Sequence, residues 1–192
     1  MIILATNNKG KASEIQEILK DEEIKTLKEL NLKIEVEEDG KTFEENALKK
    51  ARAIYKLTNT PCIADDSGIC IEELNGFPGV KTARFLGENA TQKERNEYLV
   101  KQLENVPKER RKVDFITCIA YINQDGEEKI YKGILNGYIA QKPHGDNGFG
   151  FDEIFELEDG RTLAELSSEE KNKISSRKIA LEELKEDLCI CN

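Results

Sequence analysis

The stretch IILATNNKGKASEIQEIL, residues 2–19, decides the fold class. Its apolar run at residues 2–5 predicts a fully buried strand, of the kind found inside parallel sheets. After a polar segment, Ile15, Ile18 and Leu19 recur at helical spacing, which predicts a helix with one buried face. A buried strand followed directly by such a helix is typical of α/β proteins.

The segments that follow continue this alternation of strands and helices. Lys33–Glu37 alternates apolar and charged residues, which predicts a half-buried strand. Thr42–Glu45 is a capping box and opens a helix, with Ala47, Ala51, Ile54 and Tyr55 as its inner face. A short strand is then expected before Asp65, with a Ser67-Gly68 turn and a second strand over residues 68–74.

The second half of the chain predicts a helix, a hairpin and a terminal helix. Thr91–Glu94 is another capping box and opens a helix. Residues 113–122 and 129–140 flank an Asp125-Gly126 turn, which predicts a long antiparallel hairpin. After a glycine-rich loop the chain ends in a long helix that starts near Arg177. We therefore expect an α/β fold with a mixed sheet flanked by helices, in one domain over residues 1–192.

Composition excludes several classes of protein. The chain has 192 residues and a net charge of −9. This charge argues against a nucleic-acid scaffold, because such proteins normally present a basic face. No stretch approaches the length of a membrane span, and the amino-terminal apolar run is too short for a signal peptide, so we expect a cytoplasmic protein.

The five cysteines divide into two groups. Cys62, Cys70 and Cys118 lie in apolar runs and are expected to be buried. Cys189 and Cys191 in the tail could bind a metal or form a crosslink.

The segment TNNKGK, residues 6–11, lies where the first strand meets the first helix. Helix amino termini attract anions, and lysines there gain nothing from the helix dipole. Lys9 and Lys11 therefore suggest that an anion such as a phosphate chain lies between them. The segment is not a P-loop, because Ala12 follows Gly10-Lys11 and the upstream glycine is missing. The alternative is a turn with solvated lysines.

Two acidic segments could hold a hard cation. Asp65-Asp66-Ser67-Gly68 follows a buried run, and Mg²⁺ takes one or two carboxylates together with substrate phosphates and water. Glu37–Gly40 supplies a further acid at the end of the preceding strand. The alternatives are an ordinary turn and a solvated acidic loop.

Two later segments could contact a nucleotide. Glycines in residues 147–152, NGFGFD, would let the backbone approach a ligand, and the aromatic rings would stack on a base; packing alone is the alternative. Glu170–Arg177 could supply further polar contacts or be an exposed helix start. His144 is the only histidine, so no relay or metal site based on several histidines can form.

Taken together and in this order, the segments resemble the inosine triphosphate pyrophosphatase family over nearly the whole chain. The resemblance is carried by six motifs: TNNKGK (6–11), TFEENALKKA (42–51), ADDSG (64–68), NGFPGV with TARF (75–85), GFGFD (148–152) and AELSSEEKNKISSR (164–177). Each motif alone is a weak indication of the family, but all six together, in this order and at these spacings, are a specific one.

This resemblance implies an elongated mixed-sheet α/β fold of the inosine triphosphatase type, a homodimer and a Mg²⁺-dependent hydrolase. The implied reaction converts ITP, dITP or XTP and water to the monophosphate and pyrophosphate, which removes deaminated purines from the nucleotide pool. From the charge and the absence of a membrane-span stretch noted above, we expect no nucleic-acid and no membrane partner. A non-catalytic nucleotide-binding module and a phosphatase releasing inorganic phosphate are the alternatives.

The resemblance also implies roles for individual residues. Asp66 would be the catalytic carboxylate, acting as proton acceptor, and a metal ligand. Glu37 or Glu38 would be the second metal ligand, and because the two Glu residues are adjacent, which of them binds the metal is left open. The residues that would contact substrate are Thr6, Asn7, Asn8, Lys9, Gly10, Lys11, Ser67, Phe149, Gly150, Phe151, Asp152, Lys171, Ser176 and Arg177.

The chain departs from the family pattern at two of these positions. Ser176 stands where the family usually has His, and Phe151 stands where Tyr or Trp is common. Arg177 is expected to read the C6 carbonyl of the base, because its guanidinium only donates hydrogen bonds.

Overall fold

The computed structural model describes residues 1–87 and 89–190, with the side chains of the last helix described up to Cys189. Cys191, half of the tail pair that could bind a metal or crosslink, lies outside the described residues. The strands are β1 (Ile2–Leu4), β2 (Ile24–Thr26), β3 (Cys62–Ile71), β4 (Lys112–Ile122), β5 (Glu128–Ile139) and β6 (Phe155–Glu156). The α-helices are α1 (Lys9–Ile18), α2 (Phe43–Thr58), α3 (Gln92–Gln102), α4 (Ser168–Ile174) and α5 (Ser176–Ile190).

The sheet is mixed, as the alternation of strands and helices predicts. Its order is β2-β1-β3-β4-β5-β6, with β1 parallel to both β2 and β3 and with β5 antiparallel to β6. β4 and β5 are neighbours joined by five residues around the Asp125-Gly126 turn. The α/β class with a mixed sheet is confirmed.

The chain forms two compact units by contact density. The first unit contains Met1–Ser67, Thr117–Gly133 and the residues from Ser176 onward, and the second contains Gly68–Ile116 and Ile134–Ser175. Each unit has its own core of buried aliphatic and aromatic side chains. Burying one such side chain contributes roughly 1.5–3 kcal/mol.

The core of the first unit explains why α1 and α5 are amphipathic. Ile15 of α1 and Leu19, which caps the end of α1, pack with Leu181 and Leu184 of α5 against β1, and all four are at most 1% exposed. The apolar spacing that predicts a buried face on each helix is therefore confirmed.

Helices α2 and α3 begin where their caps predict. Thr42 accepts a hydrogen bond from the Glu45 N–H, and Thr91 forms a reciprocal capping box with Glu94. Such caps satisfy amide groups that have no partner inside the helix.

The strand predicted at Lys33–Glu37 is wrong. Residues 32–40 form no strand, and the parallel neighbour of β1 is Ile24–Thr26 instead. Ile34 and Val36 are only half-buried. The alternation is present in the sequence, but no neighbouring strand pairs with it.

The turn predicted at Ser67-Gly68 is also wrong. One strand, β3, runs without interruption from Cys62 to Ile71. A Cβ atom on Gly68 would overlap the Thr82 side chain, so glycine is needed here for close packing and not for a turn.

Candidate active site

Asp65 and Asp66 lie in the middle of β3 and are almost completely buried. Their exposed fractions are 1% and 6%. Successive side chains of a strand point to opposite faces, so the two carboxylates meet different partners. Asp65 contacts residues of α1 and α5, and Asp66 contacts residues of α2.

Asp66 is held by two polar residues on the inner face of α2. The Asn46 amide donates to Asp66 Oδ2 at 3.1 Å, and Lys50 Nζ lies 3.4 Å from Oδ1. Asn46 and Lys50 are four residues apart and therefore share one face of the helix. Burial raises the pKa of Asp66 and outweighs the opposing effect of Lys50 and Lys11.

Glu38 joins the same group through Lys50. Lys50 Nζ donates to Glu38 Oε1 at 2.9 Å and so bridges this carboxylate and that of Asp66. Asn46 also accepts the Gly40 N–H at 2.8 Å, which ties the segment after Glu38 to α2. Glu37 is exposed, so Glu38 is the acid of the pair that the structure brings to Asp66.

Asp65 is surrounded by positive charge. Lys11 Nζ lies 3.0 Å from Asp65 Oδ2, and Arg177 donates to the same oxygen at 3.1 Å. Burial disfavours the charged carboxylate, but Lys11, Arg177 and Lys50 outweigh it and keep the pKa of Asp65 well below its usual value. Burial lowers the pKa of Lys11 despite the Asp65 charge.

Arg177 is 4% exposed and connects α5 to this group. Besides Asp65, it contacts Glu14 of α1 and donates to Ser67 Oγ at 3.2 Å. Burial opposes its charge, but the attraction of Asp65 and Glu14 outweighs it and raises the pKa of Arg177. The side chain thus has three partners in the protein, and a contact with a base stays a prediction.

The start of α5 is fixed by its fit against the hairpin strands. Ser176 Oγ lies 2.8 Å from Thr117 Oγ1, and both side chains are buried. A Cβ atom on Gly133 would overlap the Ser176 carbonyl oxygen, so only glycine allows α5 to begin this close to β5. This packing sets the position of Arg177.

Thr6–Lys11 forms the capped start of α1. Thr6 Oγ1 accepts the Asn8 N–H at 3.2 Å, and Asn8 Oδ1 accepts the Lys11 N–H at 3.1 Å. Lys9 is exposed, whereas Lys11 turns inward to Asp65. The two lysines therefore face different surroundings.

The remaining predicted residues belong to the second unit. Asp152 accepts the Phe149 N–H at 2.8 Å and binds Lys171 Nζ at 2.5 Å. Lys171 Nζ also lies 4.3 Å from the centre of the Phe149 ring. Phe151 is 4% exposed and stacks on Phe85 with the ring centres 6.4 Å apart, so one face of its ring packs in the core. Gly150 has φ +67, a conformation that favours glycine.

Several site residues are absent from the sequence-based prediction: Glu14, Asn46, Lys50, Thr117 and Gly133. The sequence pattern contains an indication of two of these residues. Asn46 and Lys50 fall on the same arc of α2 as Ala47, Ala51 and Ile54, and polar residues within an apolar face indicate a specific partner. Nothing local marks the other three, because their partners are distant in sequence.

The oxygen donors of Glu38 and Asp66 fit a hard divalent cation. Among the described residues no group of three or more His, Cys, Asp or Glu side chains converges as a metal cage. A pair of carboxylates is nevertheless what Mg²⁺ needs when substrate phosphates and waters supply its other ligands. Lys50 is a positive charge that already bridges this pair.

The fold and this site define an α/β protein with a buried pair of aspartates, one of which is linked to Glu38 through Lys50. The model of the Ham1 family matches residues 2–187, and the chain belongs to this family. No helix in the described part of the chain is both long and apolar enough to cross a membrane.

Individual proteins show the same similarity. The dITP/XTP pyrophosphatase of Thermoanaerobacter sp. (strain X514) is 48% identical over 187 residues, covering 96% of this chain and 94% of that protein. The dITP/XTP pyrophosphatase of Bacillus subtilis (strain 168) is 45% identical over 186 residues, covering 95% and 93%. The structure of the Staphylococcus aureus Ham1 protein matches with a TM-score of 0.88 at 39% identity, covering 100% of this chain and 99% of that one.

Proposed function

We propose that this protein is a hydrolase that converts dITP, XTP and ITP to the monophosphate and pyrophosphate. The observation that carries the proposal is the buried Asp65-Asp66 pair in a chain that is 48% identical to a dITP/XTP pyrophosphatase over almost its full length. Its role in the cell would be to remove deaminated purines from the nucleotide pool.

The reaction needs a water molecule at the α-phosphorus and neutralisation of the triphosphate charge. Water adds to the α-phosphorus, the bond from that phosphorus to the bridging oxygen breaks, and the electron pair leaves with pyrophosphate. We propose that Asp66 accepts the proton of the water, because it is a carboxylate buried within this site.

We propose that Mg²⁺ is the cofactor and that Glu38 and Asp66 hold it. When bound, this cation polarises phosphoryl oxygens. Lys11 and Arg177 keep Asp65 ionised and fixed beside Asp66. Positively charged lysine side chains of the first unit would balance the negative charge of the triphosphate, including the charge that develops on pyrophosphate as it leaves.

Contacts with the base and the sugar are proposed for Ser67, Phe149, Gly150, Phe151, Asp152, Lys171, Ser176 and Arg177. We further propose that the chain acts as one functional domain, as a homodimer and in the cytoplasm, without nucleic acid. Sedimentation equilibrium tests the homodimer.

The decisive experiment is a product analysis. The purified protein is incubated with ITP, XTP, dITP or ATP and Mg²⁺, and pyrophosphate is separated from phosphate by ion exchange. We expect pyrophosphate with the first three substrates and little turnover of ATP. Release of inorganic phosphate would indicate a phosphatase, and binding without turnover would indicate a nucleotide-binding module.

A further inference from the structure

Asn96 is a fully buried polar residue of helix α3, and its side chain contacts the glycine-rich segment of residues 147–152. Its exposed fraction is 0%. The Asn96 amide nitrogen donates to the Gly150 carbonyl oxygen at 3.0 Å and to Glu153 Oε1 at 2.6 Å. The amide oxygen accepts from Gln92 Nε2 at 2.9 Å, one turn earlier on the same helix. Both ends of the amide have partners, which fixes the direction in which it donates.

The bond to Gly150 acts where the segment is least restricted by its own residue types. Gly150 has φ +67, and a glycine adopts many other conformations as easily as this one. The carbonyls of Phe149 and Phe151 accept backbone N–H groups from the residues that follow them, whereas the Gly150 carbonyl accepts the Asn96 side chain. Because a peptide unit is planar, holding the Gly150 oxygen also orients the backbone amide of Phe151.

The neighbouring residue on α3, Arg95, holds the residue on which Phe151 stacks. The rings of Phe151 and Phe85 are nearly parallel, with their centres 6.4 Å apart. Arg95 is 7% exposed, and its Nε donates to the Phe85 carbonyl oxygen at 3.0 Å. Its terminal nitrogens donate to the carbonyls of Ala90 and Gly87 at 2.6 and 2.8 Å. Two consecutive side chains of α3 thus fix the backbone around one aromatic contact.

Packing of α3 does not require a buried amide. Leu99 of the same helix is 0% exposed and belongs to the core of the second unit. Burying the Asn96 amide costs free energy that only its hydrogen bonds offset. These bonds are directional, and a satisfied buried network selects one arrangement of the groups that it contacts. Asn96 is therefore suited to fixing one conformation of the segment that contains Gly150.

We propose that Asn96 is a positioning residue for recognition of the base, because it holds the Gly150 carbonyl and with it the backbone of residues 149–152. This inference rests on the proposed function, in which those residues contact the base and the sugar. A segment that is already ordered loses less conformational freedom when the nucleotide binds. The effect should fall on binding of the base and not on the hydrolytic step, since the proposed proton acceptor, Asp66, belongs to the first unit.

The test exchanges the two groups of the Asn96–Glu153 pair. The exchange variant, Asn96→Asp/Glu153→Gln, keeps the net charge, the side-chain shapes and a hydrogen bond between the two positions. It places an oxygen that cannot donate against the Gly150 carbonyl. The matched control is Asn136→Asp/Asp114→Asn, which makes the same exchange in the second unit, where the Asn136 amide donates to Asp114 Oδ1 at 2.7 Å in a solvent-exposed pair.

We expect the KM for ITP to rise about five- to twentyfold in the exchange variant, as one buried carbonyl without its donor would give, while kcat changes less than about twofold. The inhibition constant of IMP, which carries the base, should rise in parallel. That of pyrophosphate, which carries neither base nor sugar, should not change. The control variant should behave like the wild type in all three measurements.

Three results would overturn the inference while the proposed function stands. An unchanged KM with a lower melting temperature would make Asn96 a purely structural residue. A parallel rise of the pyrophosphate constant would show that the whole site is disturbed, and an equal rise of KM in the control would show that the exchange itself is harmful. If circular dichroism shows that the exchange variant does not fold, Asn96→Ala removes the same donor and is judged by the same constants.

A calorimetric titration of IMP into the nucleotide-free protein separates the two proposals. If ITP is not hydrolysed, the proposed function fails, and the titration still decides the role of Asn96. Binding that is the same for wild type and control but weaker for the exchange variant supports it. Equal binding to all three proteins, or no binding to the wild type, refutes it.

Discussion

Replacing Arg177 with methionine tests whether this residue holds the site together. Its guanidinium contacts Glu14, Asp65 and Ser67, and the exposed fractions of Arg177, Glu14 and Asp65 are 4%, 7% and 1%. Methionine keeps much of the side-chain volume but removes the charge, so buried carboxylates lose a compensating cation.

The expected loss is about 3–5 kcal/mol in the free energy of unfolding, the cost of removing one partner of a buried ion pair. The double variant Glu14→Gln/Arg177→Met should lose less than the sum of the two single variants. The difference should be about 1–3 kcal/mol, as is found for residues in direct contact.

Urea denaturation followed by circular dichroism measures these values. Arg52→Met is the matched control, because Arg52 makes two hydrogen bonds with Glu128, at 2.7 and 2.6 Å, while its side chain is 57% exposed. Removing this exposed pair should cost less than about 1 kcal/mol.

Two results would refute this reasoning. One is a loss at Arg177→Met no larger than that of the Arg52 control. The other is unchanged stability together with a reduced ratio of ITP to ATP turnover, which would make Arg177 a reader of the base and not a structural ion.

The pH dependence provides a second readout for the same variant. Burial opposes the Asp65 charge, but Lys11, Arg177 and Lys50 outweigh it and lower its pKa in the folded state. Its stabilising contribution is therefore complete above the ordinary value of 3.8 and is lost as pH falls below it. Arg177→Met raises the folded-state pKa, so stability should fall less steeply below pH 3.8 in the variant than in the wild type.

Three further predictions concern the carboxylate pair, the start of α5 and the cysteines. Asp66→Asn should abolish Mg²⁺-dependent hydrolysis of ITP without changing the circular dichroism spectrum, whereas Asp125→Ala in the exposed turn should keep activity. Gly133→Ala should destabilise the fold by about 1–3 kcal/mol, because a Cβ atom would overlap the Ser176 carbonyl oxygen; an unchanged melting temperature would contradict this. Cys62 and Cys118 should resist iodoacetamide at pH 8, since burial raises the pKa of each to about 12, and exposed Cys189 should react, as mass spectrometry of native protein can show.

Local signals in the sequence were sufficient for much of the fold. The caps at Thr42 and Thr91 predict where two helices begin, because a cap acts on amides within three residues of it. The apolar run after Met1 predicts β1, and the spacing of Leu181, Leu184 and Leu188 predicts the buried face of α5. These patterns depend on neighbours in sequence, which a single chain displays.

The wrong predictions of a turn at Ser67-Gly68 and of a strand at Lys33–Glu37 both depend on the arrangement of the whole fold. Asp, Ser and Gly favour turns locally, yet Asp65–Gly68 stays extended because long-range ion pairs hold the carboxylates inside the fold. Lys33–Glu37 has the alternation of a strand, but β2 already occupies the edge beside β1. Neither effect can be detected in a window of ten residues.

The strand conformation of Asp65–Gly68 explains how two adjacent carboxylates can both be buried. A turn would have brought both side chains toward one region, where their repulsion would raise the pKa of each. A strand separates them to opposite faces, so Asp65 is neutralised by Lys11 and Arg177, while Asp66 contacts Lys50 and Asn46. The two pKa values are consequently displaced in opposite directions, down for Asp65 and up for Asp66. This difference is consistent with the proposal that Asp65 is a permanent structural charge and that Asp66 takes part in the reaction.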